Sequence, residues 1–470
     1  MHQAPFKSAT ELLKLMHSKQ ISPVEVMKET INRIEKLNPV INAFTNLYPE
    51  QAMNQAKLVE KAISSGKKAG PLAGLPIGIK DLEDVEGMIT SYGSVPYKNN
   101  IAKHDSNQAS RLKAAGAIIV GKTNTPEFGF TGFTKNRLFG TTRNPWNKER
   151  TPGGSSGGSA AAVSSGMVLM ATGSDGGGSI RIPSSYSGCF GLKTSAGRIP
   201  WGPTQMLYMD TISVMGPITR RIEDAALYLD CVCGYHPSDP RSLPMPQISY
   251  VQCLKNLPKK LKIAFSPTLG YARVQKDIML RVEEAIKCFA NMGHIVEMLD
   301  DGIEDPAEGW SLFMNLDVYG LVHEKLEANR EHMSRAFVQS IEAVKSYTTA
   351  DFIKATKIRT KLNNSLKDIF NKYDLLLTPT MPTEAFKAEG PPPSEIDGHP
   401  VGLLGALPFT YPFNLSGHPA ASVPAGLSDN GLPVGLQIVG QRHRDDLVLQ
   451  AAKAFEEAKS WNYNWPEIGD

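Results

Sequence analysis

The apolar positions near the start of the chain recur at helical spacing behind two start signals. Ser8 with Glu11 forms one capping box; Ser22, Pro23 and Glu25 form a second, with proline at the first helical position. Behind it Val24, Met27, Ile31 and Ile34 repeat every three or four residues, predicting a helix with one buried stripe. Apolar runs at Leu75 to Ile79 and Ala117 to Val120 predict buried strands. Farther on, Ile263 to Phe265 reads as a strand and Ile278, Val282, Ile286 and Phe289 as a helix face. A last helix from about Asp446 turns Val448, Ala451, Ala452 and Phe455 inward. Strands alternating with helices predict an α/β layered fold.

Between Thr151 and Pro200 the pattern changes. Gly, Ser and Ala crowd out bulk, yet Val168, Leu169, Met170, Ile180, Ile182, Tyr186, Phe190 and Leu192 punctuate the run. That mixture argues against a flexible linker and predicts a tightly packed loop system, with glycines where backbones approach closely. His236 to Ile248, with four prolines, is the best internal boundary, and Ala388 to Pro400 is a second irregular connection. We read one domain over residues 1–470, with a core at about 70–230 and a C-terminal elaboration at about 250–400.

Composition narrows the function. The 470 residues are 41% hydrophobic and 21% charged, which suits a soluble globular protein. Fifty basic and 47 acidic side chains give a net charge of +3, too little for a chain dedicated to a phosphate backbone, so no nucleic-acid partner is expected. The five cysteines (Cys189, Cys231, Cys233, Cys253 and Cys288) contain no C-x-x-C pair, which argues against a disulfide framework or zinc site and fits a reducing cytoplasm. Charges interrupt the first twenty residues, and no apolar run reaches membrane-spanning length, so neither secretion nor a membrane partner is expected. Asn363-Asn364-Ser365 and Asn414-Leu415-Ser416 match the glycosylation pattern, which carries no meaning in a cytoplasmic chain.

Two motifs mislead. Gly116-Ala-Ile-Ile-Val-Gly121-Lys122-Thr123 satisfies the phosphate-loop pattern, but its spacer is a β-branched strand rather than an open loop, and Pro126 follows too soon for a helix. Gly154-Ser155-Ser156-Gly157-Gly158 fits the nucleophile elbow with Ser156 at its centre, but Thr151-Pro152-Gly153 is no strand. A hydrolase triad would also need a histidine; His418 is the most tempting, though such a residue in a turn is more often structural.

Three other segments fit together: Gly74-Leu-Pro-Ile-Gly-Ile-Lys80-Asp81, Gly153-Gly154-Ser155-Ser156-Gly157-Gly158-Ser159, and Gly173-Ser174-Asp175-Gly176-Gly177-Gly178-Ser179-Ile180-Arg181-Ile182-Pro183. With flanking matches at Asn124 to Gly129, Thr142 to Trp146, Gly191 to Thr194, Thr378 to Thr380 and Gly431 to Gln437, they closely resemble the amidase signature family. The resemblance implies an α/β fold with a mixed central sheet covered by helices on both faces. It also implies hydrolysis of a small-molecule amide through acyl-Ser179, with Ser155 relaying the proton to Lys80 across a cis Gly154–Ser155 bond. No metal or organic cofactor is needed.

Elementary chemistry agrees with those roles. A serine hydroxyl needs a base within hydrogen-bond reach, and a lysine can serve once burial keeps it neutral. Successive residues Gly176, Gly177, Gly178 and Ser179 can aim N–H groups at one point, an oxyanion hole. Ser156, Asp175 and Arg181 are supporting residues, the last two as a pair or as backbone ligands of the loop. By resemblance Phe128 and Gly129 line the acyl pocket; for the phenylalanine, core packing is the equal alternative. Taken singly, Lys80 reads as a solvated charge, Ser155 as a turn former and Ser179 as a helix N-cap; the joint match favours chemistry. The family often carries Thr around the loop aspartate and Phe-Cys-Gly where this chain has Ser174-Asp175-Gly176 and Tyr186-Ser187-Gly188. The first departure leans toward a stand-alone amidase, possible as a homodimer, over the alternative of a glutaminase subunit of a tRNA-dependent amidotransferase.

Overall fold

Both capping boxes form. Ser8 Oγ accepts the Glu11 N–H ahead of the helix Ala9–His17, and Ser22 Oγ accepts the Glu25 N–H ahead of Pro23–Ile41. The structure is a computed structural model and describes residues 8–67, 69–203, 212–256, 259–299, 302–459 and 465–466.

In chain order the strands are β1 (Phe44–Leu47), β2 (Pro76–Lys80), β3 (Ile118–Thr123), β4 (Lys135–Asn136), β5 (Gly140–Thr141), β6 (Met170–Asp175), β7 (Phe190–Lys193), β8 (Val214–Thr219), β9 (Lys262–Phe265), β10 (Ile295–Met298), β11 (Leu375–Pro379), β12 (Glu395–Ile396), β13 (His399–Pro400), β14 (Ala420–Leu427) and β15 (Pro433–Gly440). Eleven of them form one sheet in the order β1-β3-β2-β6-β8-β7-β14-β15-β11-β9-β10. The pairs β3/β2, β2/β6, β11/β9 and β9/β10 are parallel, and the remaining pairs are antiparallel.

Strand side chains alternate between two faces, and both faces are covered. Ile263, Phe265, Leu375 and Leu377 join the core beneath the helices Ala9–His17, Ile222–Val232, Lys276–Asn291 and Asp445–Ala458. Their neighbours Ala264 and Leu376 join the opposite core, under Ala307–Asn329, Arg335–Ala343 and Thr349–Phe370. At the other end of the sheet Ile118 and Val120 pack under Pro23–Ile41, Pro49–Ser64 and Gly157–Ser164. The stretch 250–400 therefore extends the same sheet with β9, β10 and β11.

The glycine-rich run corrects one expectation. Half of it is regular structure rather than loop: the helices Gly157–Ser164 and Arg181–Ser187 alternate with β6 and β7, nearly all buried. Small side chains let the first helix lie directly on backbone. A Cβ on Gly158 would stand 2.3 Å from Asn124 N and 2.6 Å from Ala43 O. The phosphate-loop look-alike is β3, whose Lys122 is buried and donates to the Glu83 carbonyl and Thr90 Oγ. No helix among the described residues is long and apolar enough to cross a membrane.

Candidate active site

The three chemistry-bearing segments meet at the carboxyl ends of two adjacent parallel strands, where open α/β sheets place their ligands. Lys80 is the last residue of β2, and its N–H donates to Thr172 Oγ of β6 (3.0 Å). From there Lys80 Nζ reaches Ser155 Oγ at 2.7 Å and Ser174 Oγ at 3.0 Å. Ser155 stands in the turn before the helix Gly157–Ser164, and the Gly154–Ser155 peptide bond is cis. The next amide, Ser156 N–H, donates to Ser179 O (3.1 Å) and ties this turn to the loop that carries Ser179.

Lys80, Ser155, Ser174 and Ser179 line one cavity. Exposure divides them. Lys80 and Ser155 are 1% and 2% exposed, whereas Ser179 is partly open. Ser179 does not cap the following helix: Ile180 holds that position. Its hydroxyl makes no hydrogen bond among the described residues, which suits a group that meets substrate. Burial pushes the Lys80 ammonium down from its ordinary 10.5 to about 7, against the upward pull of Asp175 and then Glu83.

A buried ionic knot fixes the loop that carries Ser179. Asp175 Oδ1 accepts from Gly178 N–H (2.7 Å) and Oδ2 from Ile180 N–H (3.1 Å). Arg181 pairs with the same carboxylate at 2.9 Å and also donates to Thr410 O, Gln437 Oε1 and Asn414 Oδ1. Burial raises the Asp175 pKa, but Arg181, Lys193 and Asn414 together outweigh it and hold the carboxyl well below the usual range. Asn414 Nδ2 returns a bond to the Asp175 carbonyl (2.6 Å). From the outside, Trp310 Nε1 donates to Gly176 O (2.7 Å) and Thr410 Oγ1 to Gly177 O (2.6 Å).

The sequence pattern of the Amidase family matches residues 25–449. The chain belongs to the amidase signature family. It is 36% identical to an acylamidase of Rhodococcus erythropolis, over 97% of this chain and 96% of the relative. It is 35% identical to a glutamyl-tRNA(Gln) amidotransferase subunit of Moorella thermoacetica, over 99% of each. A solved bacterial aryl acylamidase of the amidase signature enzymes superposes with a TM-score of 0.92 at 34% identity, over 97% of both chains. Membership in this hydrolase family makes amide hydrolysis the chemistry for which the site must account.

Within this amidase signature chain, two sequence expectations change. The Gly178 N–H is spent on Asp175, so of the three glycine amides only those of Gly176 and Gly177, together with Ser179 N–H, lack an acceptor among the described residues. Phe128 is 1% exposed and stacks between Tyr92 and Phe337, with ring centroids at 6.0 and 5.1 Å; it is core, not cavity wall. Gly129 does line the cavity: its φ is +72°, and a Cβ there would come within 2.7 Å of Leu82 Cδ1 and 3.1 Å of Ser155 Oγ. Ser156 is a supporting group, its Oγ donating to Ser174 O at 3.3 Å. His418 is buried against Phe370, hydrogen-bonded to Ser416 Oγ and pushed down to about 3 by burial, so it is no triad histidine for Ser156.

Sequence reasoning missed Trp310, Thr410 and Asn414. Asn414 appeared there as a chance glycosylation match, yet it is buried and holds the Ser179 loop through Asp175. Gln437 and Thr378 were visible as flanking matches; Gln437 Nε2 donates to Thr378 Oγ1 (2.9 Å), which turns Oε1 toward Arg181.

Proposed function

We propose that this chain hydrolyses a linear carboxylic amide through an acyl-enzyme on Ser179. As Ser179 Oγ attacks the carbonyl carbon, its proton passes to Ser155 Oγ while that of Ser155 passes to the neutral Lys80 amine. The relay then runs backward and protonates the leaving nitrogen, so the C–N bond breaks with release of an amine or ammonia. Water repeats the attack on the acyl-serine, the relay takes its proton, and Ser179 regains a hydrogen as the acid departs. The Gly176, Gly177 and Ser179 amides stabilise the oxyanion. The observation that carries this reading is the 2.7 Å contact between Ser155 Oγ and a lysine that burial brings to about 7.

The cavity wall favours an uncharged substrate. Leu82, Trp201, Met215 and Met314 supply its apolar surface, and its charged residues among those described are Lys80 and Glu83. Both are committed: Lys80 to the serines, and Glu83 to donors from Ser106 Oγ (2.6 Å) and Gln108 Nε2 (3.0 Å). Likeness to the amidotransferase chain supports a second reading, a glutaminase acting with partner chains and tRNA. Free glutamine carries an α-carboxylate and an α-ammonium, and no arginine among the described residues lines the cavity to receive the carboxylate. We therefore favour a stand-alone amidase. Release of amine or ammonia from a panel of uncharged amides and from glutamine tests the choice: turnover of uncharged amides by the isolated chain supports it. Ammonia from glutamine alone, dependent on partner chains, would reverse it.

A further inference from the structure

Among the described residues, several buried polar side-chain atoms have no hydrogen-bond partner, and one of them lines the catalytic cavity: Ser213 Oγ. Ser213 directly precedes β8. The β6–β8 register pairs Val214 with Asp175 and so sets Ser213 opposite Gly176; a Cβ built on Gly176 would stand 2.6 Å from Ser213 Oγ. Its backbone is fixed, since Ser213 O accepts from Trp201 Nε1 (3.1 Å), and the residue is 4% exposed.

A buried hydroxyl without a partner destabilises the fold that holds it, and alanine would fill the same space without that cost. The hydroxyl is therefore a poor structural element but a well-placed donor. On the amidase reading above, we infer that Ser213 is a substrate-binding residue whose Oγ–H donates to the carbonyl oxygen of the scissile amide, beside the Gly176 N–H. The bond forms only when substrate enters and strengthens as that oxygen gains negative charge, as preorganised donors do. Ser213 thus adds a side-chain donor to an oxyanion hole otherwise made of backbone.

Ser213→Ala tests this, with Ser213→Gly as a second variant. The readouts are kcat/KM on an amide and an ester of the same acyl group, melting temperature, and affinity for an aldehyde analogue that adds to Ser179. Loss of one such donor should lower kcat/KM about 100- to 1,000-fold on both substrates and weaken the aldehyde by a similar factor, while the melting temperature holds or rises. A change in kcat/KM within about twofold would show an idle hydroxyl, and a fall in melting temperature would show a structural one. A loss confined to the amide would place it at the leaving nitrogen; each of these overturns the inference. A wild-type chain that neither turns over the substrates nor binds the aldehyde would sink the amidase reading first, and the inference with it.

Discussion

The charge state of Lys80 makes the acidic limb of the pH profile a quantitative matter. Its Nζ meets neutral partners, Ser155 Oγ, Ser174 Oγ and Ser174 O, and burial outweighs the more distant carboxylates of Asp175 and Glu83. If the neutral amine is the base, kcat/KM rises with unit slope up to about pH 7 and levels off above it. It should reach about half of maximum at the midpoint and about a tenth one pH unit below. A solvated lysine titrating at 10.5 would leave only on the order of 0.03% of chains neutral at pH 7. Glu83→Gln removes a charge that holds the proton on Lys80, so the limb should move to lower pH. The assay is initial rates on one uncharged amide, below saturation, from about pH 5 to 11, with circular dichroism at each pH to confirm folding. A limb near 10, or a Glu83→Gln profile displaced upward, refutes the assignment.

Other substitutions separate the parts of the site. Arg181→Met leaves Asp175 buried without its guanidinium and should cost about 3–5 kcal/mol of stability by denaturant titration, with kcat lost as the loop loosens. Trp310→Phe keeps a ring against the loop but drops the bond to Gly176 O; kcat should fall about tenfold with KM little changed, measured by steady-state kinetics. Gly158→Ala should destabilise by about 1–3 kcal/mol or more because its Cβ meets backbone, whereas Gly402→Ala, with open space around it and negative φ, should leave the melting temperature nearly unchanged. Ser155→Ala should abolish turnover and Ser156→Ala should reduce it only several-fold, the reverse of what a Ser156 nucleophile requires.

What could be read from the chain and what could not follow from the range of the interactions. Helix starts such as Ser8 with Glu11 were legible because the capping residues lie three apart. Lys80, Ser155 and Ser179 could be grouped as a candidate site because three short motifs jointly resemble the amidase signature, and the structure places all three around one cavity. The sheet order was not, since β14 and β15 enter between β7 and β11 from far along the chain, and no local pattern encodes that pairing. The glycine-rich run looked like loop because small residues mask helical periodicity; in the helix Gly157–Ser164 every position is buried, so no polar face marks the turn of the helix. Phe128 shows the opposite failure, a residue flagged by its neighbourhood whose side chain the aromatic cluster of Tyr92, Tyr97 and Phe337 claims for the core. Trp310 and Asn414 act on the loop from 134 and 239 residues away, and nothing in their own surroundings announces it.

The most direct measurement is mass spectrometry of the acyl-enzyme, quenched in acid during turnover of a slowly hydrolysed amide or ester and digested to locate the added mass. The relay described above requires the acyl group on Ser179, absent from Ser179→Ala and strongly diminished in Lys80→Ala with the fold intact. An adduct on Ser155 or Ser156, or full turnover by Ser179→Ala, would contradict it.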